Sequence, residues 1–190
     1  MRVGKNKLAL IVVAGIWAAG IGYGQDTTDH LQQLVELSAR RIVTAEQVAL
    51  AKWDSGRPVE DGPREEKVIA NAVKAGQAKG LDATAVSNFF RAQIEANKLV
   101  QYALLADWRR AGKAPDHQPV DLAGTIRPEL DELGTELIAE LLQTTSLRAG
   151  ASCSTDVANA VGDYVLAHKK DFSAVERMAL DRAMGAACGK

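Results

Sequence analysis

From Thr27 to Asp54 the apolar residues Leu31, Leu34, Val35, Ile42, Ala45, Val48 and Ala49 recur at helical spacing. They form one stripe on a run of about 27 residues, and helices of that length belong to bundles. Asp26 or Thr27 is predicted to cap its start, and Gly56 to stop it. A second helix is predicted from Pro63, after Asp61, to Lys79, with Glu65 and Glu66 at its positive end and Gly80 as its stop. Asp82 caps a third, Ala83 to Arg110, with the stripe Val86, Phe89, Phe90, Ile94, Leu99, Leu104 and Leu105 and a stop at Gly112. Asp121 caps a fourth segment, in which Pro128 marks a kink or a new first turn. RAGASCS, residues 148–154, reads as a linker, and two shorter helices follow, 155–169 and 173–187. The last opens on the capping box Ser173-x-x-Glu176. No strand alternation or repeat interrupts the pattern. The expected fold class is all-α: a bundle with long N-terminal helices and a C-terminal helix pair.

The 190 residues, 25% of them charged, suffice for one domain with a sizeable core. A formal charge of −1 creates no bulk field for nucleic acid, so any anion site must be a local cluster. Residues 1–24 stand apart: a basic head, MRVGKNK, then the uncharged LALIVVAGIWAAGIGYG. This is the pattern of a secretory signal peptide cleaved near Gly24-Gln25; the alternative is an uncleaved anchor, since about 17 apolar residues approach the lower limit of a span. The mature chain, 25–190, reads as a single domain with a core over 26–146 and a helical extension over 147–190. Export places Cys153 and Cys188, the only cysteines, in an oxidising compartment, where a disulfide closing the helix pair is expected over two free buried thiols. His30, His117 and His168 share no ligand spacing, and no metal or cofactor is proposed.

The stretch KWDSGRPVEDGPREEKV, residues 52–68, sets charges around two prolines and two glycines. Read locally, it is either a solvated turn or a cluster aimed at an anion. Arg41 lies eleven residues before Lys52, almost three whole turns, so both point the same way, about 16 Å apart. Asn97 and Gln101 share a face at i and i+4, bordered by Ile94 and Leu105. Either pair alone is equally compatible with exposure or an ordinary inter-helix contact.

Together, Arg41, Lys52, Asp61 and Arg64-Glu65, followed by FFRAQIEANKLVQ, resemble the AroQ-type helical chorismate mutases, matching without a gap from Arg41 to Arg64. The leader, the C-terminal extension and the cysteine pair resemble the exported gamma subclass. The resemblance implies the Claisen rearrangement of chorismate to prephenate, without nucleophile, metal or cofactor, in aromatic amino acid biosynthesis. It implies carboxylate binding by Arg41 and Arg64, and ether-oxygen donors in Lys52 and Gln101. Glu65 matches the position that accepts from the substrate hydroxyl, with Asp61 beside it. Asn97, where the family often has a small hydroxyl residue, and Arg127, in the place of a further arginine from the fourth helix across an insertion or deletion, are implied as further substrate contacts. The resemblance also implies a homodimer in the periplasm or outside the cell, free of the membrane once the leader is removed. Two rival readings keep the cationic site: an isochorismate-pyruvate lyase on the same scaffold, and an exported protein that binds a small dianion without turnover.

Overall fold

The computed structural model describes residues 23–189, and within them the chain is helical and turn without strand. The helices are α1 (Tyr23–Ser55), α2 (Gly62–Gln77), α3 (Ala83–Ala111), α4 (Arg127–Gln143), α5 (Thr145–Arg148), α6 (Cys153–Ala167) and α7 (Ala174–Met184), with a π-helical turn, Leu122–Ile126, leading into α4. The expected leader lies outside the described residues except Tyr23 and Gly24, the first residues of α1. That start corrects the predicted cap: nothing between Tyr23 and Thr27 breaks the helix, so Asp26 and Thr27 lie inside it. No helix among the described residues is long and apolar enough to cross a membrane.

The predicted stops hold, because Gly56, Gly80 and Gly112 take φ of 65°, 85° and 75°, a region that favours glycine. Helix α2 ends at Gln77, two residues before the predicted Lys79, because the Gly76 carbonyl accepts from both Lys79 and Leu81 N–H and tightens the last turn. Asp61 caps α2 through the Arg64 N–H, and Asp82 caps α3 through the Ala85 N–H. Pro128 sits in the first turn of α4, and Asp121 accepts from Ala123 and Gly124 N–H at the π turn. The capping box of Ser173 and Glu176 is formed.

Helix α1 is central, packing against α3, α4, α6 and α7. Its stripe, Leu31, Leu34, Val35, Ile42 and Ala45, meets Phe89 and Phe90 of α3, Leu133, Leu137 and Leu141 of α4 and Leu180 and Met184 of α7 in one buried cluster. A second cluster, Ala49, Leu50, Val59, Leu105 and Trp108, seats the loop after α1 against α3, with Trp53 edge-on to Trp108. Helices α2 and α3 approach closely at Gly76, where a Cβ would lie 2.8 Å from Cγ2 of Val86.

The C-terminal pair is clamped twice. Cys153 and Cys188 form a disulfide with Cα atoms 5.9 Å apart. Arg148, in the segment read as a linker, is buried and donates to the carbonyls of Ala187 at 2.7 Å and Leu141 at 3.2 Å. The linker therefore shrinks to a turn: α6 begins at Cys153 rather than at 155, and the short α5 precedes it.

Two stability outcomes are expected. Breaking the disulfide with reductant or with the paired Cys153→Ser and Cys188→Ser change should cost about 3–4 kcal/mol, read as a lower urea midpoint, because the closed loop no longer restrains the unfolded chain. Gly76→Ala should destabilise by roughly 1–3 kcal/mol, since the stiff, buried Val86 has little freedom to move aside; a melting temperature equal to the parent's would contradict the tight contact.

Candidate active site

Helices α1, α2, α3 and α4, the loop after α1 and the π turn enclose a cavity of about 120 Å³. All eight residues singled out from the sequence as site candidates line it: Arg41 and Lys52 from α1, Asp61, Arg64 and Glu65 from the start of α2, Asn97 and Gln101 from α3, and Arg127 from the start of α4. The whole-turn spacing of Arg41 and Lys52 thus serves one concave surface.

Arg41 is the deepest of the cations, 5% exposed. Its Nη1 donates to the Leu130 carbonyl at 2.8 Å, and its Nε is buried with no hydrogen-bond partner among the described residues. Burial pushes its pKa down to about 10, with Asp131 pulling the other way, so it remains cationic at neutral pH. Lys52 donates to the Val59 carbonyl, which joins the helix end to the loop. Burial lowers its pKa too, against the opposing pull of Asp61, Glu65 and Glu60, and Lys98 adds to the lowering. Both cations are therefore incompletely compensated, and an anion entering the cavity would stabilise them.

Three ion pairs hold the rest of the wall. Arg64 reaches Asp131 of α4 at 2.9 Å, and Arg127 lies 3.7 Å from Asp61. Glu65 accepts from the Asp61 N–H at 3.1 Å and from Lys98 at 3.1 Å. The amides interlock: Asn97 Nδ2 donates to the Arg41 main-chain carbonyl at 2.5 Å, and Gln101 Nε2 donates to Asn97 Oδ1 at 2.6 Å.

Sequence reasoning passed over Lys98 and Asp131. Lys98 is buried in the cavity wall, with its ammonium 2.7 Å from Glu60, 2.7 Å from Glu95 and 3.1 Å from Glu65. Burial opposes its charge, but the three carboxylates outweigh that and hold its pKa above the ordinary lysine value. A signal was present: Ile94, Lys98, Gln101 and Leu105 fall at steps of four, three and four, so the lysine stands on the buried stripe. Asp131 left no such signal, because its role depends on how α4 crosses α1 and α2.

A second cavity, of about 270 Å³, lies between α2 and α4 and shares Arg41 and Asp131. Arg41 is the only cation among its lining residues, whereas the first cavity has five cations against three carboxylates. Chemistry therefore favours the smaller one. The histidines lie apart: His30 pairs with Glu140, His117 bridges Asp54 and the Pro115 carbonyl, and His168 stacks on Tyr164.

The pattern described as chorismate mutase type II matches residues 26–102, the stretch that carries most of these side chains. Two solved structures have the same fold along nearly their whole length. The chorismate mutase from Burkholderia phymatum is 46% identical with a TM-score of 0.80, over 86% of this chain and 99% of that one. That from Burkholderia thailandensis is 34% identical with a TM-score of 0.78, over 84% and 99%. The secreted chorismate mutase of Mycolicibacterium smegmatis is 29% identical over 95% of this chain and 99% of its own. With a helical core, a cationic cavity between its first four long helices and relatives alike from end to end, this chain belongs to the type II chorismate mutase family.

Proposed function

We propose that the protein rearranges chorismate to prephenate in this cavity, in aromatic amino acid biosynthesis, and acts outside the cytoplasm. The observation that carries the reading is the charge of the wall, five cations against three carboxylates, with a fixed amide, Gln101, on its α3 side. Chorismate carries two carboxylates and a hydroxyl. Its rearrangement is unimolecular, so the enzyme must select the chair-like conformer and stabilise the charge that builds on the ether oxygen as the C–O bond breaks.

In this reading Arg41 and Arg64 take the carboxylates, since guanidinium forks pair with them bidentately. Arg127 adds charge at the mouth, where Asp61 already holds it. Lys52 spends one donor on Val59 and keeps two for a carboxylate and the ether oxygen. Gln101 spends one N–H on Asn97 and keeps the other for the same oxygen. Glu65, held by Lys98 and the Asp61 N–H, accepts from the substrate hydroxyl. These donors are in place before the substrate arrives, so little reorganisation remains for the transition state.

Export is supported by the leader-like residues 1–24, by the disulfide and by relatives named as secreted. The homodimer implied by the family resemblance goes with the same reading, and sedimentation of the mature chain tests it.

Turnover tests the whole. The mature chain, Gln25–Lys190, should consume chorismate and yield prephenate, followed by loss of ultraviolet absorbance and by acid conversion to phenylpyruvate. Lys52→Ala and Gln101→Ala should each lower kcat by about 10²–10³, the cost of one fixed donor. Tight chorismate binding without turnover by the folded, oxidised protein would favour a binding protein, and turnover of isochorismate alone would favour the lyase.

The Gln101→Glu change isolates the donor. A carboxyl donates only when protonated, so activity is present below its pKa and is lost as pH rises through it. The parent, with an amide there, should stay active through neutral pH, and the variant should be active mainly in acid. A variant profile that overlays the parent's would remove Gln101 from the ether-oxygen role.

A further inference from the structure

We propose that Asn97 is a positioning residue that fixes which way the Gln101 amide faces. The inference rests on Gln101 being the ether-oxygen donor. Gln101 lies 3% exposed, and an amide in such a place has two orientations that differ by a half-turn. One offers N–H to a given neighbour, the other a carbonyl oxygen. For an ether oxygen, which only accepts, one of the two is useless.

The structure contains a device that removes this ambiguity. The Arg41 main-chain carbonyl has no hydrogen to offer, so the Asn97 atom 2.5 Å from it must be Nδ2. The same Nδ2 lies 3.5 Å from Thr44 Oγ1, which itself sits 2.8 Å from that carbonyl, so the N–H aimed at α1 meets both acceptors. Oδ1 then faces the other way, toward Gln101. The Gln101 atom 2.6 Å from it must be a donor, Nε2, since the reversed amide would set two oxygens against each other. A main-chain acceptor thus orients one side chain, which orients the next. The register follows from helical geometry, because Asn97 and Gln101 are four residues apart on α3.

Removing Asn97 does not strip the Arg41 carbonyl of partners, because the Thr44 hydroxyl still donates to it at 2.8 Å. The fold should therefore survive the change.

The test compares Asn97→Ala, Asn97→Asp and Gln101→Ala in the full mature chain, with kcat and KM for chorismate measured from about pH 5 to pH 9. Helical circular dichroism and melting serve as fold controls. For Asn97→Ala, kcat should fall by about tenfold to a hundredfold, as for a misplaced reacting group, while KM moves by less than about threefold. Asn97→Asp is isosteric and keeps the fold in question open to the same measurement. Its carboxylate can accept from Gln101 but repels the Arg41 carbonyl; once protonated, its O–H donates to that carbonyl and the relay is restored. The introduced carboxyl would share the cavity with Arg41 and Lys52 of α1, Asp61 before α2, Arg64 and Glu65 of α2, Lys98 of α3, and Arg127 and Asp131 of α4. Its kcat, relative to the parent at each pH, should rise toward the acid end and fall as pH rises through the pKa of that carboxyl.

A rise in KM at unchanged kcat in Asn97→Ala would overturn the proposal and make Asn97 a substrate contact. A kcat ratio for Asn97→Asp that falls toward the acid end would overturn it equally. The underlying reading fails separately: if Gln101→Ala keeps the parent kcat, Gln101 is not the donor, whatever the Asn97 variants do.

Discussion

A guanidinium buried between helices is the constraint on which this structure turns. Placing Arg41 at 5% exposure is costly unless the charge is met by dipoles, counter-charges or a ligand. The protein meets it in part. The Leu130 carbonyl takes Nη1, Asp131 supplies opposing charge at a distance, and Nε is left without a partner among the described residues. The incomplete compensation is what makes the cavity attractive to an anion. It also explains why α4 must lie where it does, since Leu130 and Asp131 both come from it. The same residue contributes through its backbone, because its carbonyl anchors the asparagine and threonine beside it.

Around that cation the site uses two levels of packing. The main core fixes α1 against α3, α4 and α7, and so sets the depth of the cavity. The smaller cluster around Trp108 fixes the loop that joins α1 to α2. Val59 belongs to that cluster and offers its carbonyl to Lys52, while its neighbour Glu60 is tied to Lys98 and Tyr102. The charged stretch between α1 and α2 therefore has a definite physical role. It is a turn, and its apolar and charged residues hold both of its ends at the same cavity.

Much of this was legible in the sequence. Asp61, Asp82 and Ser173 announce helix starts by local chemistry, and Gly56, Gly80 and Gly112 announce stops by backbone conformation, so none of them depends on the tertiary fold. Arg41 and Lys52 could be aligned because a helix has a fixed period. What escaped depends on relations between elements. Asp131 is unremarkable on α4 until that helix is laid beside Arg64 and Arg41. Arg148 looked like part of a linker because its acceptors, the carbonyls of Ala187 and Leu141, lie 39 residues later and seven earlier. The start of α1 was misplaced for a simpler reason: a capping residue can mark a boundary only where the preceding chain leaves the helix. Lys98 is the exception, since its place on the apolar stripe was visible and went unread.

The described walls of the cavity come from α1, the loop after it, α2, α3, the π turn and the first turns of α4. Its five cations are spread from Arg41 to Arg127, so no short stretch of the chain assembles the charge by itself. Affinity for a small anion at this cavity is therefore a direct reading of how completely the bundle has closed.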